Sequence, residues 1–183
     1  MIYVFLAHGF EEIEAITVVD ILRRCDLEVT TVGIGSQYVT GSHHIAVKAD
    51  VIEQEFRLDD NIEAIVLPGG MPGTLNLEKS PVVQQAIQYT SVKRKLIAAI
   101  CAAPSILGHK GLLEGKHAIC FPGFEEQLFG AELCDSYVCE DGNIITAKSA
   151  GVAMDFAFAV AKRLLGNHEK TDKVAASLQR GTL

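Results

Sequence analysis

Cys101 is the residue whose position best suits covalent chemistry. It follows the apolar run 96–100 and precedes two alanines and Pro104. Small residues allow a tight turn from strand to helix, and proline suits the first turn of a helix, where its missing N–H needs no partner. Such a turn places the sulfur at a helix N-terminus, where the helix dipole and free N–H groups favour a thiolate. Two interpretations stay open, a nucleophile or an inert core thiol.

A carboxylate in the first helix is a candidate partner for this thiol. Glu11 and Glu12 are explained by the preference for negative charge at a helix N-terminus. Glu14 differs because Val18 and Ile21 share its helix face, which predicts partial burial. A desolvated carboxyl has a raised pKa, so it can stay protonated, donate to a thiolate or relay a proton. The alternative is an amphipathic edge position with the carboxyl in water.

Two further features lie where predicted strands end. Gly69 and Gly70 follow the buried run 63–67, and their N–H groups could hold an oxyanion at the carboxyl edge of the sheet, or form a simple turn. His8 follows the first apolar run, so it could line the same pocket or lie in an exposed turn. The glycines match neither a dinucleotide motif nor a P-loop, and no cofactor is predicted.

The elements that must position these residues alternate between short apolar runs and helical patterns. This alternation is typical of an α/β fold with a mainly parallel central sheet covered on both faces. Ser149 is a plausible N-cap and Gly166 a plausible C′ residue of a long helix. Strands are predicted at 2–7, 27–34, 63–67, 96–100, 117–120 and 144–147, with an antiparallel piece at 136–139 and a hairpin or edge elements in 38–52, and helices at 11–25, 81–92, 149–165 and the end of the chain.

Composition narrows the possible partners. The 183 residues carry a net charge of −7, and the one basic cluster, 93–95, is short, so no specific nucleic-acid binding is expected. The N-terminus predicts neither a signal peptide nor a membrane span, which favours the cytoplasm.

Five cysteines without CxxC spacing favour reduced thiols. No metal site is predicted, since no metal motif occurs and the adjacent His43 and His44 would point to opposite faces of a strand.

Four segments, read in order, resemble the ThiJ/PfpI superfamily, in the branch of the parkinsonism-associated protein deglycase and its bacterial relatives. They are 7–14 (AHGFEEIE), 19–24 (VDILRR), 66–70 (VLPGG) and 98–104 (AAICAAP). The resemblance covers nearly the whole chain. It implies one domain, residues 1–183, folded as a flavodoxin-like three-layer sandwich with a cysteine at a nucleophile elbow.

The resemblance also implies roles for the candidate residues. Cys101 would be a low-pKa nucleophile and Glu14 its protonated hydrogen-bond partner. The N–H groups of Gly70 and Ala102, with Gly69 beside them, would form an anion-stabilising pocket.

Family members usually form homodimers that pair partly through the first helix, here 11–25. Arg24, and His43 across the dimer, would then lie near the cysteine as pocket-lining residues.

Departures from the family pattern narrow the function. Ala102 follows the cysteine where the protease-like branch has a histidine, which argues against a peptidase. Phe121 stands where some relatives have a histidine, and the turn 149–152 is altered. No phosphate loop supports a role in thiamine biosynthesis.

Two hypotheses remain open. The first is a cofactor-independent deglycase or glyoxalase, a hydrolase or lyase in which Cys101 attacks a small reactive aldehyde or a glycated substrate. The second is a redox-sensing oxidative-stress protein or chaperone in which Cys101 oxidises to the sulfinate.

Overall fold

The computed structural model describes residues 1–179, which form eleven strands and six α-helices. The strands are β1 Ile2–Leu6, β2 Val29–Gly33, β3 Tyr38–Thr40, β4 Ala46–Lys48, β5 Val51–Ile52, β6 Ala64–Leu67, β7 Leu96–Ile100, β8 His117–Ala118, β9 Glu132–Leu133, β10 Val138–Asp141 and β11 Ile144–Ala147. The helices are α1 Glu12–Arg24, α2 Gly73–Lys79, α3 Pro81–Val92, α4 Pro104–His109, α5 Ala153–Leu165 and α6 Glu169–Ser177.

A seven-stranded sheet in the order β10-β11-β7-β6-β1-β2-β5 forms the centre of the fold. Adjacent strands of this sheet are parallel, except for the antiparallel pair β10 and β11. Strands β6, β7 and β11 are buried at every position, as strands covered on both faces must be. The predicted α/β fold with a mainly parallel sheet is confirmed.

Two apolar cores lie on opposite faces of this sheet. One contains Val4 of β1 together with residues of α1 and α5, including Phe156. The other contains Phe5 of β1 with residues of α3 and α4, including Ile87 and Ile106. Alternate residues of one strand point to opposite faces, so β1 contributes to both cores. Because β1, β6 and β7 are adjacent and parallel, their C-termini meet at one edge of the sheet, between the two helix layers.

Several predicted elements differ in detail. Residues 73–79 form α2, which the sequence prediction left out. The strand predicted at 117–120 is limited to β8, which pairs in parallel with β9 outside the central sheet. Ser149 makes no side-chain capping bond, because a 3₁₀ turn at 150–152 separates it from the start of α5. Gly166 ends α5 with φ +66°, as predicted.

The expectation that all five cysteines are reduced thiols is wrong. Cys134 and Cys139 form a disulfide, because the chain returns from the end of β9 to β10 within five residues. Cys25, Cys101 and Cys120 are free.

Within residues 1–179, no helix has the length and apolar character needed to cross a membrane.

Candidate active site

Cys101 occupies a strained turn between β7 and α4. Its φ is +65°, in the left-handed region that a residue with a Cβ rarely adopts. Two backbone hydrogen bonds hold it there: its N–H donates to the carbonyl of Ala147 at 2.9 Å, and its carbonyl accepts from the N–H of Phe121 at 2.8 Å. The conformation leaves Cys101 partly exposed while the strand before it is fully buried.

Glu14 lies against this turn, on the first turns of α1. The residue is 1% exposed, so it is more deeply buried than the predicted partial burial. Its Oε2 accepts the N–H of Gly69 at 2.8 Å, and its carboxyl group is hydrogen-bonded to the Cys101 thiol. No nitrogen or oxygen donor among the described residues reaches Oε1. Within residues 1–179, the Cys101 thiol is therefore the side chain placed to exchange a proton with this carboxyl group.

Residues 69 and 70, which follow β6, must be glycine because neighbouring atoms approach too closely for a side chain. A Cβ on Gly69 would lie 2.6 Å from the Cβ of Cys101 and 2.8 Å from Oε2 of Glu14. Gly70 has φ +88°, and a Cβ there would lie 2.4 Å from the backbone nitrogen of Glu11. The sheet edge thus brings the carboxyl and the thiol together only because no side chain stands between them.

The backbone N–H groups at this edge of the sheet donate to different acceptors. Those of Gly70 and Ala102 donate to the Cys101 sulfur, whereas their role in an anion-stabilising pocket stays a prediction. The N–H of Gly69 donates to Glu14 instead, so it does not belong to the anion pocket as predicted. Two donors converge on the sulfur, and one orients the carboxyl.

Burial raises the pKa of Glu14 to about 7. The Gly69 N–H and the Cys101 thiol oppose this shift by hydrogen bonding, whereas the charge of Glu11 adds to it. A carboxyl group with this pKa exchanges its proton near neutral pH, as a general acid or base must.

The pKa of the Cys101 thiol is raised to about 12, opposite to the low pKa that the resemblance implied. Burial is the main cause, followed by the negative charge of Glu14 and its hydrogen bond, while the N–H groups of Gly70 and Ala102 lower the pKa. When Glu14 is protonated its charge vanishes and its O–H can donate to sulfur. Above about pH 7 the pair therefore holds one proton, and a thiolate forms when that proton moves to Glu14.

With this geometry established, the similarity to known proteins is informative. The model of the DJ-1/PfpI family matches residues 1–163. The chain belongs to this family. The crystal structure of a mutant DJ-1 superfamily protein from Salmonella typhimurium superposes with a TM-score of 0.93, at 36% identity and 98% coverage of both chains. These matches agree with the flavodoxin-like fold that the sequence resemblance implied.

Two curated relatives from this family differ in length. The glutathione-independent glyoxalase DJR-1.2 of Caenorhabditis elegans is 29% identical over 170 residues, which cover 92% of this chain and 89% of that protein. The DJ-1 homolog B of Arabidopsis thaliana is 36% identical over 94% of this chain, but the chain spans 40% of the length of that protein.

Three predicted pocket residues of this DJ-1/PfpI family member do not contact Cys101 within the chain. His8 is exposed and lines a separate groove of about 340 Å³. Arg24 forms an ion pair with Asp20 at 2.7 Å, in the last turns of α1. The Nδ1 atom of His43 lies 3.0 Å from Oε2 of Glu12. Roles for Arg24 and His43 across a dimer stay predictions.

His43 and His44 lie in the turn between β3 and β4, and His44 has φ +66°. The prediction that they occupy opposite faces of a strand is therefore wrong. The two polar residues Ser42 and His43 reach α1 because the turn folds back over its first residues.

Glu12 is a buried, hydrogen-bonded carboxylate whose environment the sequence prediction missed. It is 7% exposed, and its Oε1 accepts the N–H groups of His43 at 2.8 Å and Ile45 at 3.3 Å. A Cβ on Gly41 would lie 2.3 Å from the Glu12 carboxyl. The residues that bury Glu12 lie about 30 positions along the chain, so no local pattern could have revealed the contact.

Proposed function

We propose that this protein is a cysteine-dependent enzyme that converts small 2-oxoaldehydes, or their adducts on amines, to 2-hydroxy acids without a cofactor or glutathione. The observation that carries the proposal is the hydrogen-bonded pair of Cys101 and buried Glu14, with two backbone N–H groups directed at the sulfur. The glutathione-independent glyoxalase of Caenorhabditis elegans, a relative of this chain, supports the same class of reaction.

An amine adduct first releases its amine: the C–N bond of the carbinolamine breaks, its hydroxyl proton passes to nitrogen, and the aldehyde re-forms. Sulfur then adds to the aldehyde carbon. As the C–S bond forms, the thiol proton passes to the Glu14 carboxylate, and the carbonyl π electrons move to oxygen. The N–H groups of Gly70 and Ala102, which donate to the sulfur, stabilise the negative charge on sulfur as the thiol gives up its proton. Proton return from Glu14 completes a hemithioacetal.

The second step is an internal redox rearrangement. Glu14 removes the C1 proton and the resulting enediol is reprotonated at C2, so the aldehyde carbon is oxidised and the ketone carbon reduced. The product is a thioester of a 2-hydroxy acid. Water adds to this thioester and releases the acid and the Cys101 thiol, so methylglyoxal and one water give lactate. No external oxidant, reductant or metal is consumed.

Lactate formation from methylglyoxal in the absence of glutathione tests this proposal. We expect Cys101→Ser and Glu14→Gln each to lower kcat/KM by about 100-fold or more, since each removes a group that acts in bond making. Cys120→Ser is the matched control, because Cys120 is a free but buried thiol with no contact to Glu14. Wild-type turnover in Cys101→Ser would exclude the mechanism.

A redox role is the second candidate function, and the partial exposure of Cys101 supports it. Among the three free thiols, Cys25 and Cys120 are buried and Cys101 is partly exposed. Peroxide would then convert Cys101 to the sulfinate, which the Glu14 O–H can hydrogen-bond. Intact-mass analysis after graded peroxide treatment should show a two-oxygen adduct that is absent in Cys101→Ser. Earlier oxidation of another cysteine would contradict this role.

A homodimer through α1 is part of the same proposal. Ile13 and Ile16 are 57% and 41% exposed and lie one turn apart on the outer face of this helix. Sedimentation analysis of wild type and Ile13→Asp should show a dimer and its loss, whereas a monomeric wild type would contradict the dimer. A cytoplasmic location stays a prediction.

A further inference from the structure

The disulfide between Cys134 and Cys139 lies beside the two segments that hold the Cys101 turn. Cys101 depends on Ala147, which accepts its N–H at 2.9 Å, and on Phe121, whose N–H donates to its carbonyl at 2.8 Å. Ala147 belongs to β11, and Phe121 follows β8. The disulfide joins the end of β9 to β10, and these two strands pair with β8 and β11. The cross-link therefore connects the segments that support both sides of the turn.

A closed ring of contacts passes through this disulfide. The N–H of Cys134 donates to the carbonyl of Ala118 at 3.0 Å. The N–H of the next residue, Ile119, donates to the buried hydroxyl of Thr146 at 2.9 Å. Thr146 stands opposite Cys139 in the pairing of β10 with β11. The disulfide closes the ring with a covalent bond, and the two residues that bond to the Cys101 backbone lie one and two positions beyond it.

The conformation of Cys101 requires this support. A residue with a Cβ keeps a φ of +65° only where the surrounding contacts hold it. In this conformation the sulfur accepts the N–H groups of Gly70 and Ala102, which lower the pKa of the thiol. Loss of either backbone bond would let the turn relax towards ordinary φ values and take the sulfur away from these donors. The reactivity of Cys101 is therefore coupled to the positions of β8 and β11.

One sulfur of the disulfide is accessible to a reductant. Cys134 is partly exposed, whereas Cys139 is 6% exposed. Cys134 also lines a cavity of about 460 Å³, whose walls include Asp135 and Lys148. Thiol–disulfide exchange begins with the attack of a thiolate on one sulfur and depends on access to it. Cys134 is therefore the partner that is attacked, and Cys139 is the leaving group.

We propose that the disulfide between Cys134 and Cys139 is a reversible thiol-exchange site that controls the Cys101 turn, with dithiols as its substrate class. A thiolate of the dithiol attacks the Cys134 sulfur and releases Cys139 as a thiolate, which takes up a proton. The second thiol of the reductant then displaces Cys134 and closes a new disulfide within the reductant. Two electrons and two protons thus pass from the dithiol to the protein.

Only the effect of this exchange on turnover rests on the proposed function. The exchange itself and the change at Cys101 are measured without it.

Reduction of the folded full chain with dithiothreitol tests the exchange. The protein is equilibrated with mixtures of reduced and oxidised dithiothreitol, quenched with acid, alkylated and measured by intact mass. We expect two additional alkylated thiols, which peptide mapping assigns to Cys134 and Cys139, while circular dichroism remains that of the folded protein. A disulfide that resists the dithiol until the chain unfolds would overturn the proposal. Free thiols at both positions under oxidising conditions would overturn it as well.

Hydrogen exchange measures the coupling to the turn. In the reduced protein the amides of Cys101 and Phe121 should exchange at least about 3-fold faster, because both bonds lose support. The amide of Ile34, which donates to Leu6 at 2.9 Å at the end of β1, is the matched control and should not change. Iodoacetamide labelling of the Cys101 peptide at neutral pH should slow by at least about 3-fold, equivalent to about half a pKa unit. Equal rates before and after reduction in either measurement would overturn the proposal.

A double variant, Cys134→Ser with Cys139→Ser, separates this coupling from a direct effect of the dithiol on Cys101. It should match the reduced wild type and should not respond to dithiothreitol, and a response would overturn the proposal. Cys120→Ser keeps the disulfide and should respond like the wild type. If the double variant does not fold, the wild-type titration decides alone.

Turnover distinguishes this inference from the proposed function. Lower lactate formation after reduction would support both, and equal turnover in the two redox forms would overturn the control of Cys101. The expected changes in exchange and labelling, without lactate formation in either form, would contradict only the proposed function.

Discussion

Two glutamates on one turn of α1 are both buried, yet their pKa values move in opposite directions. Burial raises the pKa of Glu14 to about 7, whereas that of Glu12 is lowered to about 2. Burial opposes the charge of Glu12 as well, but the N–H groups of His43 and Ile45, its own N–H and the His43 ring together outweigh it. Glu14 has one backbone N–H and a thiol.

The comparison shows that a carboxyl group keeps its charge where its donors outweigh its desolvation, and that Glu14, the more deeply buried of the two, has too few donors for this. Glu12 is held as a carboxylate and serves as an anchor. Glu14 exchanges its proton near neutral pH and is suited to chemistry. The chain achieves this difference within two residues, because the 41–45 turn covers one glutamate and the Cys101 turn covers the other.

Gly69→Ala should have the largest effect. The added methyl would lie within 3 Å of both Cys101 and Glu14, so the pair must separate. We expect at least about 100-fold lower lactate formation, by the loss of proton transfer, and about 1–3 kcal/mol lower stability from overpacking. Gly151→Ala is the control, since its methyl would meet only the Ser149 hydroxyl at 3.8 Å. Full activity in Gly69→Ala would show that the contact is dispensable.

Glu14→Gln should change how stability depends on pH. The folded pKa of Glu14 is raised to about 7, so between about pH 4.5 and 7 the folded protein binds more protons than the unfolded chain. Stability therefore falls as pH rises through this range, by about 3 kcal/mol at most. Urea unfolding across this pH range should show this fall in wild type and its absence in Glu14→Gln.

Glu12→Gln should change the pH dependence of stability in the opposite direction. Because the folded pKa of Glu12 is lowered to about 2, its contribution is present above the unfolded pKa and is lost as pH falls from about 4.5 toward 2. The variant should lack this acid-side loss. Parallel pH profiles for the two variants would contradict the contrast between the glutamates.

The alkylation of Cys101 locates the shared proton. Ionised Glu14 raises the pKa of the thiol, so Glu14→Gln should lower that pKa and speed iodoacetamide labelling at neutral pH by roughly 10-fold, equivalent to about one pKa unit. The rate is measured against pH by intact mass. A higher thiol pKa in the variant would mean instead that Glu14 already carries the proton and supports a thiolate.

Ser42→Ala should have the smallest effect. Glu12 keeps its two backbone donors and the His43 ring, so we expect about 0.5–1.5 kcal/mol of lost stability. Chemical unfolding measures it. A loss above about 3 kcal/mol would mean that the hydroxyl, and not the backbone, holds Glu12 in place.

The sequence predicted the fold and the burial of Glu14 because both depend on local patterns, whereas the pairing of Glu14 with Cys101 was implied by the family resemblance. Buried parallel strands give continuous apolar runs, and the helix face shared by Glu14 and Val18 gives its burial. The short strand β8 and the helix α2 were not predicted correctly, since two-residue pairing and a single helical turn or two leave little periodic signal. The disulfide between Cys134 and Cys139 depends on the path of the chain between β9 and β10.

The sequence by itself determined the α/β architecture, the strand-to-helix turn at Cys101 and the family to which the chain belongs. Only the tertiary structure decided the protonation of the two glutamates and the grouping of Glu11 and Glu12 with His43. The physical reason is that a pKa depends on every donor and charge within a few ångströms. Those donors come from segments about 30 to 90 residues away, which no spacing along the chain can reveal.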